Sequence, residues 1–191
     1  MSRNWMRNFN PRRTSTYRPD SPNAILGAAG EIVVIDRLRF ASRGSTEWNF
    51  IRATEDPIMN SIHGDIHVYR NMIKQFSIEV KASFDYRNVT ITGAELLHSE
   101  AKYLVGATRA GIWATPMTEA RRVTKEMTGP FSTYYLIPVD SVMKISVAQM
   151  LADCGAVKCE LCDSWYHPSP TECNNCFEKY ERGCPPLGYR W

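Results

Sequence analysis

The stretch Phe76-Ser77-Ile78-Glu79-Val80-Lys81-Ala82, taken with the earlier Gly64-Asp65-Ile66-His67-Val68, decides how this chain folds. Both runs alternate apolar and polar residues with the period of two that a half-buried strand requires. Ile78 and Val80 share one face of such a strand, and Glu79 and Lys81 share the other. A hairpin turning near residue 73 would pair residues whose numbers sum to about 146, setting Asp65 opposite Lys81 and diagonal to Glu79. Two carboxylates beside an ammonium form a set of hard ligands suited to Mg2+ or Mn2+. The same residues would also make an exposed cross-strand salt bridge, and the two runs alone do not separate these readings.

Spacing by itself carries little weight, because Glu100-Ala101-Lys102 repeats the Glu-x-Lys pattern. That copy falls in a stretch expected to be helical, where positions two apart point in nearly opposite directions. It predicts solvated charges and no site. Working upstream, Ser21-Pro22 reads as an N-cap followed by proline at the first helical position. The helix is expected over residues 23–40, with Ile25, Ala29, Ile32, Val33 and Leu38 on its buried stripe and Gly27, Ala28 and Gly30 keeping its first turns slim. Glu31 then has Gly27, Ala28, Val34 and Ile35 as its helical neighbours. A carboxylate among small and apolar residues is costly unless it is paired or metal-bound. The other reading is a helix rim from which Glu31 reaches solvent.

The remaining elements expected are strands near Trp48–Arg52, Asp65–Arg70, Phe76–Ala82, Val89–Thr92, Ile112–Thr115 and Tyr134–Pro138. Helices are expected from Thr92 to about Tyr103 and around Thr118–Met127. This order predicts an α/β fold, a mixed sheet with helices packed on it. Ser83, Thr90, Thr92 and Glu95 follow the acidic strand and are placed to line a substrate channel, although Glu95 is better read as capping its own helix. His63 and His67 flank Asp65, and His67 shares its face by parity, which would let it touch phosphate; the other reading is a structural histidine.

The series Gly30-Glu31, Gly64-Asp65-Ile66 and Ile78-Glu79-Val80-Lys81 resembles the PD-(D/E)XK, or restriction-endonuclease-like, nuclease superfamily. The resemblance covers roughly residues 23–138. Gly64 stands where that family often has proline. The resemblance implies that Asp65, Glu79 and the Val80 carbonyl hold a catalytic Mg2+ or Mn2+. It implies further that Glu31 completes or orients that shell and that Lys81 positions the attacking water. The family includes restriction enzymes and Holliday-junction resolvases, so the expected activity is hydrolysis of DNA, on branched or duplex substrates, by a homodimer.

Beyond residue 153 the chain changes character, since all six cysteines lie there. Cys159-x2-Cys162 and Cys173-x2-Cys176 give two knuckles at the separation that places four thiolates around a tetrahedral Zn2+. Disulfides or free thiols are the alternative. The segment looks like a zinc ribbon or short treble-clef finger, a module too small for its own core and held together by the metal. Cys162 to His167 is also similar to part of a PHD finger, but the rest of that two-zinc pattern is absent from the sequence. Cys154, Cys184 and His167 are spare candidate ligands. Trp165, Tyr166, Lys179, Arg182 and Arg190 could stack on bases and meet phosphates, or pack over the zinc.

The chain has 191 residues, 43% hydrophobic and 23% charged, which is ordinary globular composition. The expected division is a leader over 1–20, a nuclease core over 21–150 and a zinc module over 151–191. The leader and the two residues after it carry Arg3, Arg7, Arg12, Arg13 and Arg18 against Asp20, a net +5 − 1 = +4 in a chain of +3, so the remainder sums to −1. Such a tail can contact phosphates or simply be solvated. No run approaches the ~20 apolar residues of a membrane span and no signal-like segment opens the chain, so a soluble, intracellular protein is expected. A catalytically silent nucleic-acid-binding or regulatory protein on a nuclease-like fold would share these features. A zinc-stabilised protein-interaction factor would have no need of Asp65.

Overall fold

The computed structural model describes residues 20–42, 46–53, 62–85, 87–109, 111–129, 133–159 and the backbone of 165–166. Helix α1 (Pro22–Ser42) opens as expected, with Ser21 Oγ accepting from Ala24 N at 3.2 Å. Its buried face differs from the expected stripe: Val34, Ile35, Leu38 and Ala41 are buried, whereas Ile25, Ile32 and Val33 are exposed. Close approach decides this. A Cβ on Gly30 would lie 2.9 Å from Ala82 Cβ, so the slim side of α1 is the side that fits against the sheet.

Strands β1 (Trp48–Arg52), β2 (Ile66–Arg70) and β3 (Ile73–Ser83) form an antiparallel run. Strand β4 (Asn88–Thr92) leads into helix α2 (Gly93–His98), and β5 (Tyr103–Thr108) then returns parallel to β3. Antiparallel β6 (Gly111–Pro116) completes a mixed five-stranded sheet in the order β1-β2-β3-β5-β6. Helix α3 (Met117–Val123) precedes β7 (Lys125–Thr128) and β8 (Thr133–Pro138). These two strands join β4 in a second, three-stranded antiparallel sheet, where one sheet was expected. A 3-10 helix (Val147–Cys154) follows.

The five-stranded sheet is covered on both faces. On one, α1 and the 3-10 helix pack on Ile66, Val68, Phe76, Ile78, Val80, Tyr103 and Val105. On the other, the second sheet, α2 and α3 pack on Leu104 and Trp113. Leu151 and Ala156 belong to the α1-side core, so packing continues past residue 150. Beyond it, β9 (Val157–Lys158) and β10 (Trp165–Tyr166) form a short antiparallel ribbon.

Three local expectations are corrected. The β2–β3 turn is Asn71-Met72, with φ of 47° and 66°, not a turn near 73. This two-residue turn and a bulge between Val68 and Tyr69 set Ile66 against Ile78, so Asp65 comes level with Glu79 and not with Lys81. Helix α2 stops at His98, leaving Glu100 and Lys102 outside any helix, where they pair with His63 at 2.9 Å and Asp153 at 3.1 Å. The helix expected to reach Met127 ends at Val123 and is followed by β7.

Candidate active site

Glu79 and Lys81 project from β3 on the face opposite the α1 core, because Ile78 and Val80 take the other parity. Glu79 is 1% exposed. Its Oε1 lies 2.6 Å from Lys81 Nζ, and its Oε2 accepts a long bond from Ser99 Oγ at 3.4 Å. Lys81 Nζ also lies 3.0 Å from Glu95 Oε1. The sequence offered channel lining or capping for Glu95, and the structure gives it a cap and an ion pair together. Glu95 Oε2 accepts Thr92 N–H at 2.9 Å while Thr92 Oγ1 accepts Glu95 N–H at 3.2 Å, a capping box at the start of α2.

Asp65 sits just before β2. Its Oδ2 accepts Val80 N–H at 2.7 Å, its own N–H donates to Ile78 O, and its carbonyl accepts from Ala53 N–H. Gly64 occupies a position that proline could not take. Its φ is +82°, which proline cannot adopt, and a Cβ there would meet Ile78 O at 2.8 Å. The sharp turn at glycine is what drives Asp65 against the β3 backbone.

The electrostatics are those of crowded carboxylates in a dry place. Burial, then the charges of Asp65 and Glu95, push Glu79 up to about 8 against the pull of Lys81. Burial also raises Asp65, although Lys81 and the Val80 N–H oppose it. Lys81 is held well above its ordinary value, because the attraction of Glu79, Glu95 and Asp65 outweighs its own loss of solvation. Glu95 is held below its ordinary value by Lys81 and the Thr92 N–H, which together exceed the cost of its burial.

Glu31 stands apart. It comes from α1, which covers the opposite face of the sheet, and its Oε2 accepts Arg52 Nε at 2.7 Å. Burial raises its pKa, opposed by Arg52, and the charge of Asp65 raises it further. Among the described residues, no three Asp, Glu, His or Cys side chains stand close enough together to share one ion. The structure therefore gathers Asp65, Glu79 and Lys81, adds Glu95, and holds Glu31 on Arg52.

Sequence reasoning passed over Arg52, Ser99 and Arg121. Ser99 is a buried hydroxyl touching Glu79, and Arg121 fixes its peptide by donating to Ser99 O at 2.8 Å and Leu96 O at 2.7 Å. Only the tertiary fold brings α3 to α2, so no local signal marked them. Arg52 does end the strand that precedes the acidic motif, and its position there was a usable signal. His67 lies half-buried on β2. Its Nε2 is buried without a hydrogen-bond partner, and burial and Lys74 lower its pKa.

At the C-terminus, Cys159 is buried directly after β9, and the ribbon to β10 brackets residues 159–164. Cys162, Cys173, Cys176, Cys184, His167, the later basic residues and the arginine-rich leader lie outside the described residues. No described helix is long and apolar enough to cross a membrane.

No family model matches the chain, and no curated protein matches it. Among solved structures, the chain is similar to a nuclease from a fusselovirus, at 10% identity and a TM-score of 0.44, over 67% of this chain and 88% of that one.

Proposed function

We propose that the chain is a metal-dependent nuclease that hydrolyses DNA phosphodiester bonds at Asp65, Glu79 and Lys81. The observation that carries this reading is Glu79: a carboxylate 1% exposed, level with a second carboxylate and tied to a lysine. Nothing in packing calls for such a group. Replacing buried ion pairs by apolar residues is often neutral or stabilising, so a costly, like-charge cluster is better explained by chemistry than by stability.

The donor set fits a hard divalent cation. Asp65 and Glu79 offer carboxylate oxygens whose mutual repulsion a cation would relieve, and the Val80 carbonyl lies between Glu79 and Lys81 in sequence. Bound there, Mg2+ or Mn2+ would supply Lewis-acid charge and an activated water. The chain's own residues do the rest. Lys81 places a fixed positive charge where the phosphoryl oxygens gain negative charge. Glu95 holds Lys81 through a second ion pair, and Ser99 orients the Glu79 carboxylate. The burial of Glu79 limits the water around its carboxylate.

In this reading Cys159, Cys162, Cys173 and Cys176 hold one structural Zn2+. The support is that Cys159 is buried at the end of β9 and that β9 and β10 flank the first knuckle. The leader and the zinc module extend the contact with DNA phosphates.

The test is incubation of purified protein with supercoiled plasmid and with a four-way junction, with Mg2+, with Mn2+ and with EDTA, alongside Asp65→Ala and Lys81→Ala. Metal-dependent cleavage lost in both variants supports the reading and ranks the substrates. Wild type as inert as the variants on both DNAs, while still binding them, would replace it with a silent nucleic-acid-binding protein.

A further inference from the structure

We infer that Arg52 is the residue that grips the DNA backbone at this site, and that Glu31 positions Arg52 instead of ligating the catalytic metal. The inference rests on the nuclease reading and changes the role of one of its residues.

Charge comes first. Glu31, Asp65, Glu79 and Glu95 face two cations, Lys81 and Arg52. Without a metal a phosphodiester meets more carboxylates than cations, and a bound divalent cation brings the charges only to balance, so an exposed cation at the edge of the cluster still contributes attraction. Lys81 can do little to attract it from a distance, because its ammonium is enclosed between Glu79 and Glu95. Arg52 differs in the respect that matters. Its side chain is 48% exposed, and Nε is the atom committed to Glu31. A guanidinium carries five N–H donors in a rigid fork, so binding a carboxylate through Nε leaves the terminal nitrogens for a second, bidentate acceptor such as a phosphate.

Position comes next. Arg52 is the last residue of β1 and pairs with Ile66, the residue after Asp65. Ala53 N–H donates to Asp65 O at 2.7 Å, so the backbone that bears Arg52 is stitched to the backbone that bears Asp65. The guanidinium also lines the open groove between α1 and β1, together with Ile32, Asp36, Arg39 and Ile51. Arg52 is thus shared by that groove and by the strand end beside Asp65. Glu31, on the helix covering the opposite face of the sheet, feels the charges of Asp65 and Lys81 but already spends an oxygen on Arg52, and among the described residues no three carboxylates stand close enough to share one ion. The work of Glu31 is to aim a long, flexible cation.

The experiment compares wild type with Arg52→Gln, Arg52→Lys and Glu31→Gln. Three readouts are taken: binding of a fluorescein-labelled duplex in Ca2+ across a KCl series, Mn2+ binding without DNA by electron paramagnetic resonance, and steady-state cleavage. Arg52→Gln should lower the slope of log K against log[KCl] by about 0.9, the loss of one phosphate contact. It should raise KM severalfold with kcat little changed, and Arg52→Lys should recover most of the slope. Glu31→Gln should bind Mn2+ as wild type does while weakening DNA binding. An unchanged slope in Arg52→Gln, or loss of Mn2+ binding in Glu31→Gln, would overturn the inference while leaving the nuclease intact. Failure of wild type itself to cut any DNA would overturn the nuclease reading and this inference with it.

Discussion

Glu95 divides its carboxylate between two tasks: one oxygen lies 3.0 Å from Lys81 Nζ and the other caps α2 by accepting Thr92 N–H at 2.9 Å. The start of a short helix is thereby tied to a buried ammonium. Glutamine can serve in a capping box, so Glu95→Gln separates the tasks by keeping the cap and removing the charge. The expected outcome is loss of about tenfold or more in kcat, the worth of one hydrogen bond to a charged group. Thermal unfolding should move by only a few degrees, as roughly 1 kcal/mol would produce. A variant with full kcat would show that Glu79 alone holds Lys81.

Gly64 sets the direction in which Asp65 leaves the loop. At φ +82°, with Ile78 O 2.8 Å from where a Cβ would be, Gly64→Ala must strain the backbone and displace β3. Left-handed backbone costs an L-residue about 1–2 kcal/mol before any clash, so total destabilisation of roughly 2 kcal/mol or more is expected by urea denaturation. Activity measured well below the melting point should fall as well, because the Asp65 Oδ2 to Val80 N–H bond depends on that turn. Gly64→Pro should be worse, although proline is the residue the family resemblance would suggest.

How much of this was legible from sequence depends on the kind of signal. The alternation around Glu79 and Lys81 fixed their face, and a register error of two residues left that face unchanged, since side chains repeat every two positions. The capping box at Thr92 and Glu95 is a local pattern, and it forms. The end of α2 was invisible: neither glycine nor proline follows His98, and the chain turns extended at Ser99 to feed a strand that only the sheet creates. That strand, β5, is Tyr103 to Thr108, a short run with small residues at its end and no alternation to announce it. Its Gly106 reads as a breaker, but the Trp113 ring lies across it, 2.3 Å from where a Cβ would stand. Helix α1 misled because both its sides are apolar, so hydrophobicity could not choose between them and steric slimness did.

Gly106→Ala tests that account of β5. The inserted methyl would meet Trp113 Cζ2 at 2.3 Å, so the indole must move within a core that includes Leu104, Val89 and Ile137. Overpacking of this kind costs about 1–3 kcal/mol, to be read as a lower urea midpoint with the slope unchanged. Because Gly106 pairs with Lys81 across β3 and β5, cleavage is expected to fall together with stability, whereas DNA binding through Arg52 on β1 should be preserved.

The zinc proposal makes its own prediction. Elemental analysis should find one Zn2+ per chain, and Cys162→Ser or Cys176→Ser should remove it. The loss is expected to loosen the region after β9 and leave the five-stranded core folded, because among the described residues the core on the α1 side runs no further than Ala156. Hydrogen exchange checks this, with faster exchange confined to the segment beyond residue 159.

Finally, the raised pKa of Glu79 has a definite consequence for stability. Its ordinary value is 4.5 and its folded value about 8. Between these limits the folded state binds the proton more tightly than the unfolded state, so ν_U is less than ν_N and stability falls as pH rises. The contribution is fully present below about 4.5 and lost by about 8, on the order of a few kcal/mol. Asp65 and Glu31 are shifted in the same direction, whereas Glu95, held below its ordinary value, loses its contribution only as pH falls into the acid range. Metal-free protein should therefore melt at progressively lower temperature on titration from mildly acidic to mildly alkaline buffer, and Glu79→Gln should flatten that decline while abolishing cleavage. Mg2+ added at the alkaline end should restore stability to wild type and not to the variant, because a bound cation favours the ionised carboxylate that burial opposes. Equal stabilisation of both by Mg2+ would place the ion away from Glu79.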